Sequence, residues 1–199
     1  RVRFCDVNLD DFSFDYAALE AILKESTPGR TIIWPTALIG FCPDMTRLHA
    51  LAHQYEADLY LDSCENTLSY IDWNQSILAS ADMVTTSTYT SHQLVSVEGG
   101  FVFFRDIRDY EQAKMLRNHG LTRSLSPANA LRLWTEAENP TIDPAFLFAL
   151  PGTNLRPTDV HAAFGLCDVK RAEKYRVQRT SLYRQFHEGL DPARYYLPP

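Results

Sequence analysis

The sequence has no run of 18 apolar residues, so nothing in it reads as a membrane-spanning helix. It has no excess of basic charge either: the formal net charge is −6, which argues against binding nucleic acid through its phosphates. Cysteine is sparse. Cys5, Cys42, Cys64 and Cys167 lie far apart, with no CxxC or CxC pair and no His/Cys group at zinc spacing. They read as small buried thiols of a reducing compartment, which makes the cytoplasm the expected location. Internal repeats and low-complexity tracts are also missing. What remains is a 199-residue chain with 45% hydrophobic and 22% charged residues, the usage of a globular domain long enough to bury a sizeable core.

Short apolar runs alternate with amphipathic stretches. Arg1 to Val7, Thr31 to Pro35, Asp58 to Asp62, Asp82 to Thr86 and Gly100 to Arg105 read as five strands. Helices are expected at Asp15 to Ser26, after the capping Asp44, from Ile107 to His119, from Pro157 onward, and over Leu182 to Leu190. Only thirteen residues, Ser87 to Gly99, separate the last two strands. That is too few for a helical crossover, so the fifth strand is expected to return antiparallel. The pattern predicts an α/β fold, three-layer α/β/α with a mostly parallel sheet and one antiparallel strand. Leu121 to Pro151, with its Pro, Asn and Ser, reads as a long loop. The chain opens without Met inside a strand pattern, and ARYYLPP reads as the approach to another strand. The expectation is a piece of a larger fold, incomplete at both ends.

In open α/β sheets, ligands sit beyond the carboxyl ends of the parallel strands. Asp62 closes the third strand, Ser87 begins the loop after the fourth, and His92 lies within that loop. Each has a plain alternative. A strand-end Asp is most often a turn former, a loop Ser is usually solvated, and a lone His is more often structural than catalytic.

Four stretches in order carry a resemblance: IGFCPDMTRLHALA with LYLDSCENTLS, STYTSHQLVSVEGGFVFF, RNHGLTR, and GTNLRPTDVHAAFG. Together they resemble the DegT/DnrJ/EryC1/StrS sugar aminotransferases, a pyridoxal-phosphate (PLP) family of fold type I. The resemblance implies that residues 1–180 are part of the large PLP-binding domain, without its first two strands, and that 181–199 begin the small C-terminal domain. It implies cofactor-binding roles for Asp62 at the pyridine nitrogen, Glu65 near the ring hydroxyl, and Ser87 at the phosphate. Asn154 would reach the phosphate of a neighbouring subunit, which implies a homodimer with shared active sites. The sequence departs from the family pattern at Thr153, where a tyrosine is usual, and in SCENTLSYIDW after Asp62.

The position of the family's cofactor lysine is His92, and the next lysine along is Lys114, in a predicted helix. Imidazole has no primary amine and cannot make the internal Schiff base. With an ordinary pKa of about 6.5 it can still move protons near neutrality. One subset of the family carries this same exchange before Glu-Gly-Gly, as here at Glu98, Gly99 and Gly100: the nucleotide-sugar 3-dehydratases of deoxysugar biosynthesis. The resemblance therefore implies pyridoxamine phosphate (PMP), a nucleotide-linked 4-keto-6-deoxyhexose that loses its C3 hydroxyl with His92 as the catalyst, and an amino donor such as glutamate. The scattered cysteines point to the type without an iron–sulfur cluster. Transamination by a related enzyme and an inactive binding homologue are the alternative readings.

Overall fold

A computed structural model of the chain describes residues 1–69 and 75–196. Two compact units emerge: one is built from residues 1–103 and 159–199, the other from 104–158.

The first unit contains a four-stranded sheet in the order β1 (Ile32–Ile33), β2 (Asp58–Asp62), β3 (Met83–Ser87), β4 (Gly100–Phe104). β1 and β2 are parallel, as are β2 and β3, with Asp62 opposite Thr85. β4 runs back. The Thr86 hydroxyl donates to the Phe101 carbonyl and the Thr88 N–H to the Gly99 carbonyl, so the partner number falls as the strand climbs. The expected mostly parallel α/β sheet with one reversed strand is what the chain forms.

Two helices precede β2. Asp15 accepts from the N–H groups of Ala17 and Ala18 and so caps α1 (Tyr16–Lys24), while Asp44 accepts from Arg47 N–H and caps α2 (Met45–Gln54). Their apolar faces supply Leu19, Leu23, Met45, Leu48 and Ala52 to one core, which closes against Ile33, Leu59, Leu61 and Val84 of the sheet. Alternation along β2 and β3 sends Leu59, Leu61, Val84 and Thr86 inward and leaves Tyr60, Asp62, Thr85 and Ser87 half-buried on the other face. After the sheet come α5 (Asp159–Val169) and α6 (Ala172–Gly189).

The second unit holds α3 (Ile107–Leu116) and α4 (Pro127–Glu136) around a small core of Met115, Leu121 and Leu147. Here two of the motif stretches meet. His119 N–H donates to the Thr153 carbonyl, and Thr153 and Leu155 N–H donate to the carbonyls of Leu116 and Arg117. The approach is so close that a Cβ on Gly120 (φ +86°) would overlap the Leu150 carbonyl, and one on Gly152 would overlap the backbone of Gly120.

Several expectations change. Arg1 to Val7 is no strand: apart from one antiparallel bridge between Val7 and Phe14 it makes no ladder, and Val2 and Phe4 are exposed. The apolar run was real, but among the described residues it makes no further strand pairing. The long loop at 121–151 contains α4, started by the Ser126 cap and Pro127 at its first turn. Its polar composition hid a helix that keeps one side open to water. Cys167 is exposed rather than buried, and the other three thiols are half-buried. Val160 and Phe164 of α5 are exposed as well. The strand approach read in ARYYLPP lies partly outside the described residues; its start is a turn at Pro192–Arg194. No helix among the described residues is long and apolar enough to cross a membrane.

Candidate functional site

The register decides which side chains share a face. Asp62 pairs with Thr85 across β2 and β3, and Ser87 lies two residues further along β3. Side chains two apart in a strand point the same way, so Asp62, Thr85 and Ser87 share the less buried face at the carboxyl end of the parallel strands. That is the end where open α/β sheets place ligands.

Asp62 Oδ1 accepts from the Cys64 N–H at 3.0 Å. This short-range turn bends the chain away from the sheet and leaves a carboxylate at the strand end. Burial, helped by the hydrogen bond and charge of Asp62, pushes the Cys64 thiol up to about 11, so beside Asp62 it stays a neutral S–H at physiological pH. The turn continues through Ser63 and Asn66, both fully buried; the Ser63 hydroxyl donates to the Asn66 carbonyl. Glu65 uses one carboxylate oxygen to accept from the Ile39 N–H at 2.6 Å, which ties the segment after β1 to the segment after β2. Ile39 sits at φ +46°, a conformation uncommon for a branched side chain, and the Glu65 bond helps to hold it there.

After β3 the Ser87 hydroxyl accepts from Tyr89 N–H at 3.1 Å, leaving its own O–H available to an incoming acceptor. His92 N–H donates to the Tyr89 carbonyl at 3.0 Å, closing a tight turn. The half-buried imidazole stands edge-on to the Tyr89 ring, 5.7 Å between centroids at 71°. Its Nδ1 is buried with no hydrogen-bond partner. A buried polar atom without a partner is costly, and a site built to receive a ligand is one place where it is tolerated. Further on, Thr88 and Ser96 hydroxyls meet at 2.6 Å, and Ser96 N–H donates to the Thr88 carbonyl, pinching the loop at its base.

In the first unit Asp62 and Ser87 thus close β2 and β3, and Glu65 and His92 lie on the segments that follow them. Asn154 belongs to the second unit, where it bridges to Asn118 and its Oδ1 accepts from Arg156 Nε at 3.0 Å. Sequence reasoning passed over Gln93 and Asp168, which fasten the His92 loop to other segments. Nothing in a sequence signals a hydrogen bond from a side chain to a backbone group 73 residues away.

A PLP-type cofactor needs a carboxylate for its protonated ring nitrogen and donors for its phosphate. Asp62, the Ser87 hydroxyl and the unpartnered His92 Nδ1 are of the right kinds: Asp62 and Ser87 share the face at the carboxyl ends of β2 and β3, and His92 lies on the loop that follows β3, so the residue types fit such a group. Among the described residues there is no group of three or more His, Cys, Asp or Glu side chains that could hold a metal ion.

Comparison with known proteins bears on the fold and the family. The chain is 25% identical over 175 residues to the GDP-4-keto-6-deoxy-D-mannose 3-dehydratase of Escherichia coli O55:H7, covering 88% of this chain and 44% of that protein. It is 27% identical over 177 residues to the enzyme of the same name from Yersinia pseudotuberculosis, covering 87% and 43%. The chain therefore spans less than half the length of these relatives. Among solved structures, GDP-4-keto-6-deoxymannose-3-dehydratase (ColD), in a variant with bound GDP-perosamine, superposes with a TM-score of 0.79 at 23% identity, over 96% of this chain and 49% of that one. A DegT DnrJ EryC1 StrS aminotransferase from Brucella abortus gives 0.74 at 22%, over 93% and 45%. At such identities the structures speak for the fold, which is that of the large domain of PLP fold type I. Residues 1–198 match the DegT/DnrJ/EryC1/StrS aminotransferase family, and the chain belongs to it.

Proposed function

We propose that the protein removes the C3 hydroxyl of a nucleotide-linked 4-keto-6-deoxyhexose, a GDP-sugar by the nearest analogy, in deoxysugar biosynthesis. One observation supports this reading: His92, read as standing at the family's lysine position on the loop after β3, has a buried Nδ1 without a hydrogen-bond partner. The likeness to two curated 3-dehydratases supports it.

When bound, PMP supplies an amine for the C4 ketone and a ring that accepts electrons. The Asp62 carboxylate holds a proton on the ring nitrogen by charge pairing. The Ser87 O–H donates to a phosphate oxygen. His92 would take a proton at the C4′ carbon and deliver one to the departing C3 oxygen, a task that an imidazole can perform and that lysine is not needed for. Glu65 fixes the segment beside the ring hydroxyl. Asn154 serves the phosphate of a second subunit, which makes the working form a homodimer with shared sites. Hydrolysis would release the 3-deoxy-4-keto sugar with the nitrogen leaving as ammonia, and glutamate would restore the cofactor's amine. The large domain runs to residue 180 and the small domain starts at 181, and four free thiols suit a cytoplasmic enzyme.

The deciding experiment supplies the protein with PMP, glutamate and a GDP-4-keto-6-deoxyhexose and weighs the sugar by mass spectrometry. Loss of the C3 oxygen is expected, falling at least 100-fold in His92→Asn. An amino group gained at C4 would replace dehydration with transamination. A protein that takes up no cofactor would be a binding homologue.

A further inference from the structure

Gln93 follows His92 and takes no part in the chemistry above. Its side-chain Oε1 accepts from the Leu68 N–H at 2.7 Å. Leu68 lies on the segment that carries Asp62 and Glu65, so the bond joins the two halves of the site. Two residues further on, Val95 N–H donates to Asp168 Oδ2 of α5 at 2.9 Å. The same helix comes close again at Gly165, where a Cβ would meet the Ser96 Cβ at 3.2 Å. The base of the loop is fastened separately, by the Thr88–Ser96 pair. Val97, at φ +74°, shows that the loop does not relax to its locally preferred backbone.

We infer that Gln93 is a positioning residue, holding the His92 turn in register with the Asp62–Glu65 segment while Asp168 anchors the loop from α5. A side chain next to the acting residue suits this work, because any slack in the turn reaches His92 directly. Proton transfer depends on placement to within a fraction of an ångström, so a small loosening carries a large kinetic effect. The assignment rests on His92 being the proton carrier.

The test compares Gln93→Leu, which removes the acceptor at similar size, with Gln93→Glu, which keeps it. Hydrogen exchange at the Leu68 amide and the ring NMR signals of His92 are read in the full chain without substrate. In Gln93→Leu the Leu68 amide is expected to exchange about tenfold faster and the His92 ring signals to shift or broaden, with both restored in Gln93→Glu. In turnover, kcat is expected to fall about tenfold with KM within twofold. An unchanged Leu68 amide, or a faster amide with an unmoved His92 signal, would overturn the assignment. If Gln93→Leu fails to fold, Gln93→Asn keeps the amide but is too short to reach, and the same pattern is required of it. Should the protein prove not to be a dehydratase, turnover is lost in the wild type too, while the amide and ring signals still decide the role of Gln93.

Discussion

β2 and β4 are both five residues long and both mostly apolar, yet their fates differ. In β2 the pattern DLYLD alternates, and Leu59 and Leu61 are completely buried. In β4 the pattern GFVFF does not alternate, and Phe101, Val102 and Phe103 are 56%, 47% and 38% exposed. β2 lies inside the sheet with α1 and α2 closing one face; β4 is an edge strand. Apolar composition makes a strand in both places, but burial follows from what lies alongside. β4 is held by its backbone and by the close approach of Gly100, β2 by its side chains.

The sharpest way to break this contrast is to empty the core beside β2. Leu61→Ala should cost about 3 kcal/mol, the usual penalty for deleting a leucine that cannot be replaced by water, read as a lower midpoint in urea. Gly100→Ala should come next, at about 2 kcal/mol, because its new Cβ would overlap the Thr86 carbonyl and push β4 off β3. If the alanine at Gly100 proved harmless, β4 would not be fastened in the way described.

These two positions also mark how far the sequence could be read. Leu59 and Leu61 announce themselves by alternation, and Asp44 by standing one residue before a helical period, where its carboxylate caps α2; Asp15 and Asp106 cap α1 and α3 in the same way in the structure. Asp62 was legible as a strand end, and Ser87 and His92 as members of the loop after the next strand. The roles of these residues came from family resemblance, since position alone does not distinguish a turn former from a ligand. What stayed hidden is long-range. Arg1 to Val7 looks like a strand because local pattern cannot show that, among the described residues, one bridge from Val7 to Phe14 is all the pairing it makes. The backbone zipper between His119 and Thr153, and the tie from Asp168 to Val95, join segments that no local pattern relates.

The loop entering β4 offers a change of opposite sign. Val97 has φ +74°, where a branched side chain is strained by roughly 1–3 kcal/mol, and it is 41% exposed, so little packing depends on it. Glycine there would relieve the strain while adding about 0.5–1 kcal/mol of chain entropy to the unfolded state. The relief is the larger quantity, so Val97→Gly should stabilise by about 1 kcal/mol and raise the urea midpoint without altering the slope. A loss of stability instead would mean that the loop is shaped by the valine side chain and not in spite of it.

The smallest effect should come from the largest exposed side chain on β4. Phe101→Thr keeps a strand-forming residue and leaves the Phe101 carbonyl free to accept from Thr86. With more than half of the residue already in water, there is little transfer energy to lose, and the stability read from urea unfolding should change by less than about 0.5 kcal/mol. The comparison with Leu61→Ala is direct: two apolar residues in adjoining parts of one sheet, one worth several times the other. If Phe101→Thr cost as much as Leu61→Ala, the outer face of β4 would have to be covered in solution. The exposure seen here would then belong to the isolated chain rather than to the working protein.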